Sequence, residues 1–148
     1  MKLIVAIDGE LSAQTALAHI LKEKYAPDTE IHLIHVIVPG FCDVSVPGIP
    51  DNIADECKQE RAVLDHMARR LKESLDINAT AELLTGETAD VIAQACKLFG
   101  ADQAIAASHG RHGFGRLWFG SVADEIVDAA PCTVVVLKMQ QDGTLVSC

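Results

Sequence analysis

Aromatic side chains are scarce in this sequence, 4% of its 148 residues, so its core must be aliphatic, built from Val, Ile, Leu and Ala. Basic residues are short as well: 12 Lys and Arg stand against 21 Asp and Glu, a formal net charge of -9. An acidic surface of this kind repels the phosphates of DNA and RNA, and no nucleic-acid partner is expected. A free nucleotide stays admissible, because a local cluster of backbone N–H groups outweighs a weak, screened field. No apolar run approaches the ~20 residues that a membrane span requires. The first apolar run stops at Asp8, too short for the h-region of a signal peptide, so no membrane association and a cytoplasmic location are expected. The cysteines number five (Cys42, Cys57, Cys96, Cys132 and Cys148), an odd count with no CxxC pair. They read as reduced thiols of a cytosolic protein rather than a disulfide framework or a zinc site.

What the chain does have is a regular alternation of apolar runs and amphipathic stripes. Residues 3–7 form a continuous apolar run closed by Asp8-Gly9, as suits a strand buried on both faces. Ser12 is placed to cap a helix with the stripe Ala13, Ala16, Leu17, Ile20 and Leu21, broken by Pro27-Asp28. Residues 31–38 read as the second strand. A connection from Pro39 to Pro50 follows with three prolines and two glycines, long for an α/β fold and therefore a candidate functional loop. Asp51 opens a long helix whose apolar face carries Ile53, Cys57, Leu64, Met67, Leu71 and Leu75, with Glu60 interrupting the series. Residues 78–84 form a third strand. A helix with the stripe Val91, Ile92, Ala95, Leu98 and Phe99 follows, stopped by Gly100. Residues 101–107 form a fourth strand, a helix runs from about Ser121 to Ala130, and residues 132–137 form a fifth strand.

The order βαβαβαβαβ predicts an α/β fold: an open five-stranded parallel sheet with helices on both faces and right-handed crossovers. Ligands in such folds sit beyond the C-terminal ends of the strands, where strand order reverses. Residues 1–138 are expected to form one domain, and 139–148 a polar tail.

The segment from Ala107 to Ser121 carries the strongest chemical signal. Gly110, Gly113 and Gly115 permit backbone N–H groups to turn inward without a Cβ clash. Gly120-Ser121 opens a helix whose free N–H groups and dipole attract negative charge. Ser121 and Asp124 make an S-x-x-D capping box. Arg111 and Arg116 supply positive charge in an acidic chain. The GxxxxGK[ST] phosphate loop and the GxGxxG dinucleotide fingerprint are both absent. Spacing alone leaves open a plain surface loop before a capped helix.

From residues 2 to 138 the chain resembles the universal stress proteins, whose fold is Rossmann-like, of the adenine nucleotide alpha hydrolase-like type. Members that bind ATP carry G-x2-G-x9-G-[ST] after the fourth strand. Gly110, Gly120 and Ser121 match the last three positions with the nine-residue spacing intact, while Ala107 replaces the first glycine. The Asp8 turn, His35-Val36, Gly120-Ser121-Val122-Ala123, and the stretch from Ala130-Pro131-Cys132 to Val136 are also similar to the family's elements. The resemblance implies a stress-response module that binds ATP or another adenine nucleotide, with or without Mg²⁺. Ala6, Asp8 and Val36 would frame the adenine. The backbone of Ala107, Ser108, His109 and Gly110 would pass under the ribose. Gly110, Arg111, His112, Gly113, Gly120, Ser121 and Val122 would surround the phosphates. A methyl at Ala107 is tolerated if φ is ordinary and the side chain turns away from the ligand, and harmful otherwise. The resemblance also implies a homodimer through the fifth strand, Thr133 to Leu137, an apolar sheet edge that needs covering.

Rival readings remain at this stage. The fold suits a dimeric interaction module that binds no nucleotide. A slow ATP hydrolase needs a positioned base and a metal held by acids or hydroxyls, for which only Asp8 and Ser121 stand out, so no catalytic residue is assigned. Asp8 reads equally as a strand-end turn residue. His109 and His112 lie on a glycine-rich loop away from any carboxylate cluster, and no metal site is assigned to them. His32 and His35 read as packed or hydrogen-bonded strand residues.

Overall fold

A computed structural model describes residues 1–37, 51–109 and 121–139. The connection from Pro39 to Pro50, most of the glycine-rich segment and the tail from 140 onward lie outside the described residues. The apolar runs become strands β1 (Lys2–Ala6), β2 (Glu30–Ile37), β3 (Asn78–Thr85), β4 (Gln103–His109) and β5 (Thr133–Met139). The amphipathic stretches become helices α1 (Glu10–Glu23), α2 (Asp51–Leu75), α3 (Thr88–Phe99) and α4 (Ser121–Ala129). All strand pairs are parallel, in the order β3-β2-β1-β4-β5. This is the expected five-stranded parallel sheet.

The sheet separates two apolar layers. Because successive strand residues face opposite sides, Leu3, Val5, Ile31, Leu33 and Ile105 point one way and pack with Ala13, Ala16 and Ile20 of α1 and Leu64, Met67 and Leu71 of α2. Ile4, Ile34, Ala104 and Ala106 point the other way, onto Ala89, Ile92 and Cys96 of α3 and Ile126 of α4. Small residues on that face of β4 let the two helices come close. At one edge β3 alternates instead: Asn78, Thr80 and Glu82 are exposed, while Ala79, Ala81 and Leu83 lie against the α2 layer.

Several boundaries differ from the sequence expectation. α1 starts two residues before Ser12, with Gly9 at its N-cap in a φ of 141° that side chains rarely adopt, and no side chain caps it. Ser12 sits inside the first turn, nearly fully buried. α1 ends at Glu23, with Lys24 left-handed, ahead of Pro27. In α3, Leu98 is 80% exposed, and the buried positions fall to Ala89, Ile92 and Cys96. The stripe is rotated, so Leu98 falls outside it. Gly100 is the left-handed C-cap, as expected, and β5 runs on to Met139.

The cysteine expectation fails at one position: Cys57, on the buried face of α2, is disulfide-bonded to a partner outside the described residues. Cys96 and Cys132 are free. Burial, and then the neighbouring Cys132 sulfur, push the Cys96 thiol from its ordinary 9.0 up to about 12. The folded protein therefore keeps a proton that the unfolded chain sheds, and the stability this gives is complete below pH 9 and lost as pH rises toward 12. Urea unfolding at increasing alkaline pH is expected to show unfolding free energy falling by up to about 1.4 kcal/mol per pH unit from this group. Cys96→Ala is expected to flatten that slope, and an unchanged slope would refute the assignment.

Candidate functional site

The chain fills one side of the sheet with β2 and β3, then crosses β1 to add β4 and β5. Strand order thus reverses between β1 and β4, and the crevice beyond their C-terminal ends is where a fold of this class holds its ligands. Ala6, the last residue of β1, pairs with Ile34 on one side and Ala106 on the other.

The turn after β1 is fixed by a set of hydrogen bonds. The Ile7 N–H donates to the Ile34 carbonyl at 2.8 Å. The Ile7 carbonyl lies 2.7 Å from His35 Nδ1. A carbonyl only accepts, so Nδ1 carries the proton in this contact. The Asp8 N–H donates to Ser12 Oγ at 2.8 Å, and that hydroxyl donates to the Gly9 carbonyl at 3.0 Å. The buried serine thereby holds both sides of the turn and leaves the Asp8 side chain exposed at the crevice.

Ala107, where the family pattern has glycine, sits in β4 opposite Leu137. Among the described residues only Lys24 and Asp76 are non-glycines with positive φ, so Ala107 carries no left-handed strain. Its methyl packs with the α1–α2 layer, whereas Ala6 and Val36 pack with the α3–α4 layer. The extra methyl is therefore turned away from the face that Ala6 and Val36 share. The first condition for tolerating alanine at this position, an ordinary φ, is met.

Ser108 and His109 complete β4, in register with Lys138 and Met139. Ser121 opens α4, and Val122 in its first turn is 44% exposed. Since α4 connects two parallel strands, its N-terminus lies at the same edge as the ends of β1 and β4. Ala6, Asp8, Val36, Ala107, Ser108, His109, Ser121 and Val122 thus gather at one edge of the sheet. Gly110, Arg111, His112, Gly113 and Gly120 lie outside the described residues.

One pair at this edge was missed by sequence reasoning. His35 Nδ1 lies 3.7 Å from Glu60 Oε2 of α2, too far for a hydrogen bond. That oxygen is buried without a hydrogen-bond partner among the described residues. The available signal was the break that Glu60 makes in the apolar stripe of α2. Among the described residues no cluster of three or more His, Cys, Asp or Glu side chains is placed to hold a metal ion. No helix among them is long and apolar enough to cross a membrane.

The fold is that of a doubly wound α/β protein whose strand order reverses between β1 and β4. The chain belongs to the universal stress protein family, whose model matches residues 1–138. It is 25% identical over 138 residues to a universal stress protein of Methanocaldococcus jannaschii, covering 93% of this chain and 81% of that one. In structure it is similar to an Arabidopsis thaliana universal stress protein family protein with AMP bound, at a TM-score of 0.66 and 24% identity, covering 96% of this chain and 93% of that one. It is also similar to the Archaeoglobus fulgidus universal stress protein in complex with dAMP, at a TM-score of 0.66 and 16% identity, covering 92% and 96%.

Proposed function

We propose that this protein is a stress-response module that binds ATP or another adenine nucleotide in the cytoplasm, its working unit being residues 1–138. The adenine lies against Ala6, Asp8 and Val36, and the phosphates against the segment from Gly110 to Gly120-Ser121-Val122. The observation that carries this reading is the gathering of the β1 end, the β4 end and the α4 N-terminus at the strand-order reversal. In sequence, Gly110…Gly120-Ser121 joins the end of β4 to the start of α4. A phosphate there meets the unpaired N–H groups and the positive dipole end of α4. The placement of the Ala107 methyl supports the reading. So does the binding of AMP and dAMP by two proteins of the same fold.

Bound Mg²⁺ would neutralise phosphate charge, and the chain's own part is to position the base and cradle the anion. Calorimetry with ATP and Mg²⁺ is expected to give a binding signal. Gly120→Val, which sets a branched side chain at the helix entry, is expected to weaken it at least about tenfold, or about 1.4 kcal/mol. Absence of binding to the unaltered protein at millimolar ATP would end the proposal.

Dimerisation through Thr133 to Leu137 belongs to the same proposal. β5 pairs only with β4 among the described residues, and its free edge carries consecutive valines, Val134, Val135 and Val136. Light scattering at micromolar concentration is expected to return the mass of two chains, and a monomer would refute this part.

A further inference from the structure

We propose that His35, with Glu60 behind it, is a positioning residue for nucleotide binding: it fixes the peptide between Ile7 and Asp8 and so aims the Asp8 side chain. This rests on the nucleotide reading above and deepens it. Ile7 follows Ala6, the last residue of β1, and its carbonyl accepts from His35 Nδ1 at 2.7 Å. The N–H of the same peptide unit is that of Asp8, and it donates to Ser12 Oγ at 2.8 Å. The unit is trans, so its C=O and N–H point in opposite directions. β2 therefore holds one pole of the unit and α1 holds the other. A planar unit gripped at both poles cannot rotate, which sets ψ of Ile7 and φ of Asp8. The direction in which the Asp8 side chain leaves the backbone follows from those angles.

Glu60 sets the tautomer of the ring. A carbonyl only accepts, so the clamp exists only while Nδ1 carries the proton. Glu60 Oε2 lies 3.7 Å from that same nitrogen, buried and without a hydrogen-bond partner among the described residues. It makes no hydrogen bond at that distance, but its charge favours a proton on the nitrogen that faces it. The two side chains are 15% and 31% exposed, so water screens the pair only in part. Packing gives no reason for a carboxylate at this place. Glu60 falls between Cys57 and Leu64, both buried on the inner face of α2. An apolar side chain would fill the position without burying an unsatisfied oxygen. Carboxylates hold histidines in one tautomer in this way beside metals and nucleophiles.

The test uses the full chain. Ring nitrogen-15 NMR in mildly alkaline buffer is expected to show His35 with its proton on Nδ1. Glu60→Gln is expected to raise the share of the Nε2–H tautomer, and an unchanged share would remove Glu60 from the proposal. A main Nε2–H form in the unaltered protein would overturn the clamp itself, and that readout needs no variant to fold. Asn sets its amide nitrogen where histidine has Nδ1, and Gln sets it where histidine has Nε2. By calorimetry with ATP, His35→Gln is expected to weaken binding about tenfold, the loss of one well-made hydrogen bond. His35→Asn is expected to restore the affinity. Hydrogen exchange at the Asp8 amide is expected to quicken in His35→Gln and not in His35→Asn. ATP binding of equal strength in the two variants would overturn the positioning role alone. Failure of the unaltered protein to bind ATP would overturn the nucleotide reading and the positioning role together, while the clamp stands or falls with the tautomer and the Asp8 exchange.

Discussion

Gly86→Ala is expected to lower the unfolding free energy by about 2–4 kcal/mol, more than a surface turn substitution normally costs. Gly86 follows β3 with a φ of 145°, where an L side chain is strained whatever the space. Its N–H donates to the Ile37 carbonyl at 3.1 Å, so the turn is held against β2 and is not free to relax. A Cβ there lands 2.7 Å from Cγ2 of Val91, in the first turns of α3. A β-branched residue in a helix has essentially one χ1 rotamer, so Val91 has little freedom to swing aside. Gly9→Ala separates the two contributions. Gly9 has nearly the same φ, 141°, but nothing within 4 Å of its added Cβ. It is expected to lose only the strain cost, about 1–3 kcal/mol. Urea unfolding of both variants, and of Gly86→Ala combined with Val91→Ala, measures the clash directly, because the second substitution is expected to restore part of the loss. Equal losses at the two glycines would show that Val91 does not crowd Gly86.

Leu33→Ala and Ile34→Ala are each expected to cost about 2–5 kcal/mol, a large share of a domain's usual 5–15 kcal/mol. These neighbours on β2 point to opposite faces, and both are 0% exposed. Leu33 loses its packing against the α1–α2 layer and Ile34 against the α3–α4 layer. A sheet covered on one face would tolerate one of the two at a cost of about 1 kcal/mol or less, as surface positions do. A small loss at either residue, read from denaturant midpoints at constant slope, would refute a doubly covered sheet.

That double coverage was legible in the sequence because the strands are unbroken apolar runs. Residues 3–7 contain no polar position, and a strand with one wet face would alternate. The element order followed from the helical stripes and from Gly100, whose left-handed cap matches its place after α3. Errors arose where a local rule had a competitor. Ser12 reads as a cap from its residue type, but Gly9 takes the cap through a backbone conformation that leaves no side-chain mark. Leu98 fits a helical stripe by spacing, yet the packing layer lies on the face marked by Ala89, Ile92 and Cys96.

Of the candidate site, the strand ends were legible because the reversal rule points to them once the strand order is known. His35 was read as a packed or hydrogen-bonded strand residue, and it is hydrogen-bonded. Its partners, the Ile7 carbonyl and, at longer range, Glu60, are non-local, and no spacing encodes them. The Cys57 disulfide escaped for a similar reason, since bridging depends on which segments fold together rather than on the count of cysteines.

The two borders of the sheet are chemically unlike. The β3 border exposes Asn78, Thr80, Glu82 and Thr85, with Glu82 Oε2 3.2 Å from His32 Nε2. The β5 border carries a run of valines. A sheet whose two borders were both apolar could add copies without end and grow into a ribbon. Asn78, Thr80, Glu82 and Thr85 keep the β3 border hydrated, so the association proposed through the valine border would stop at two copies.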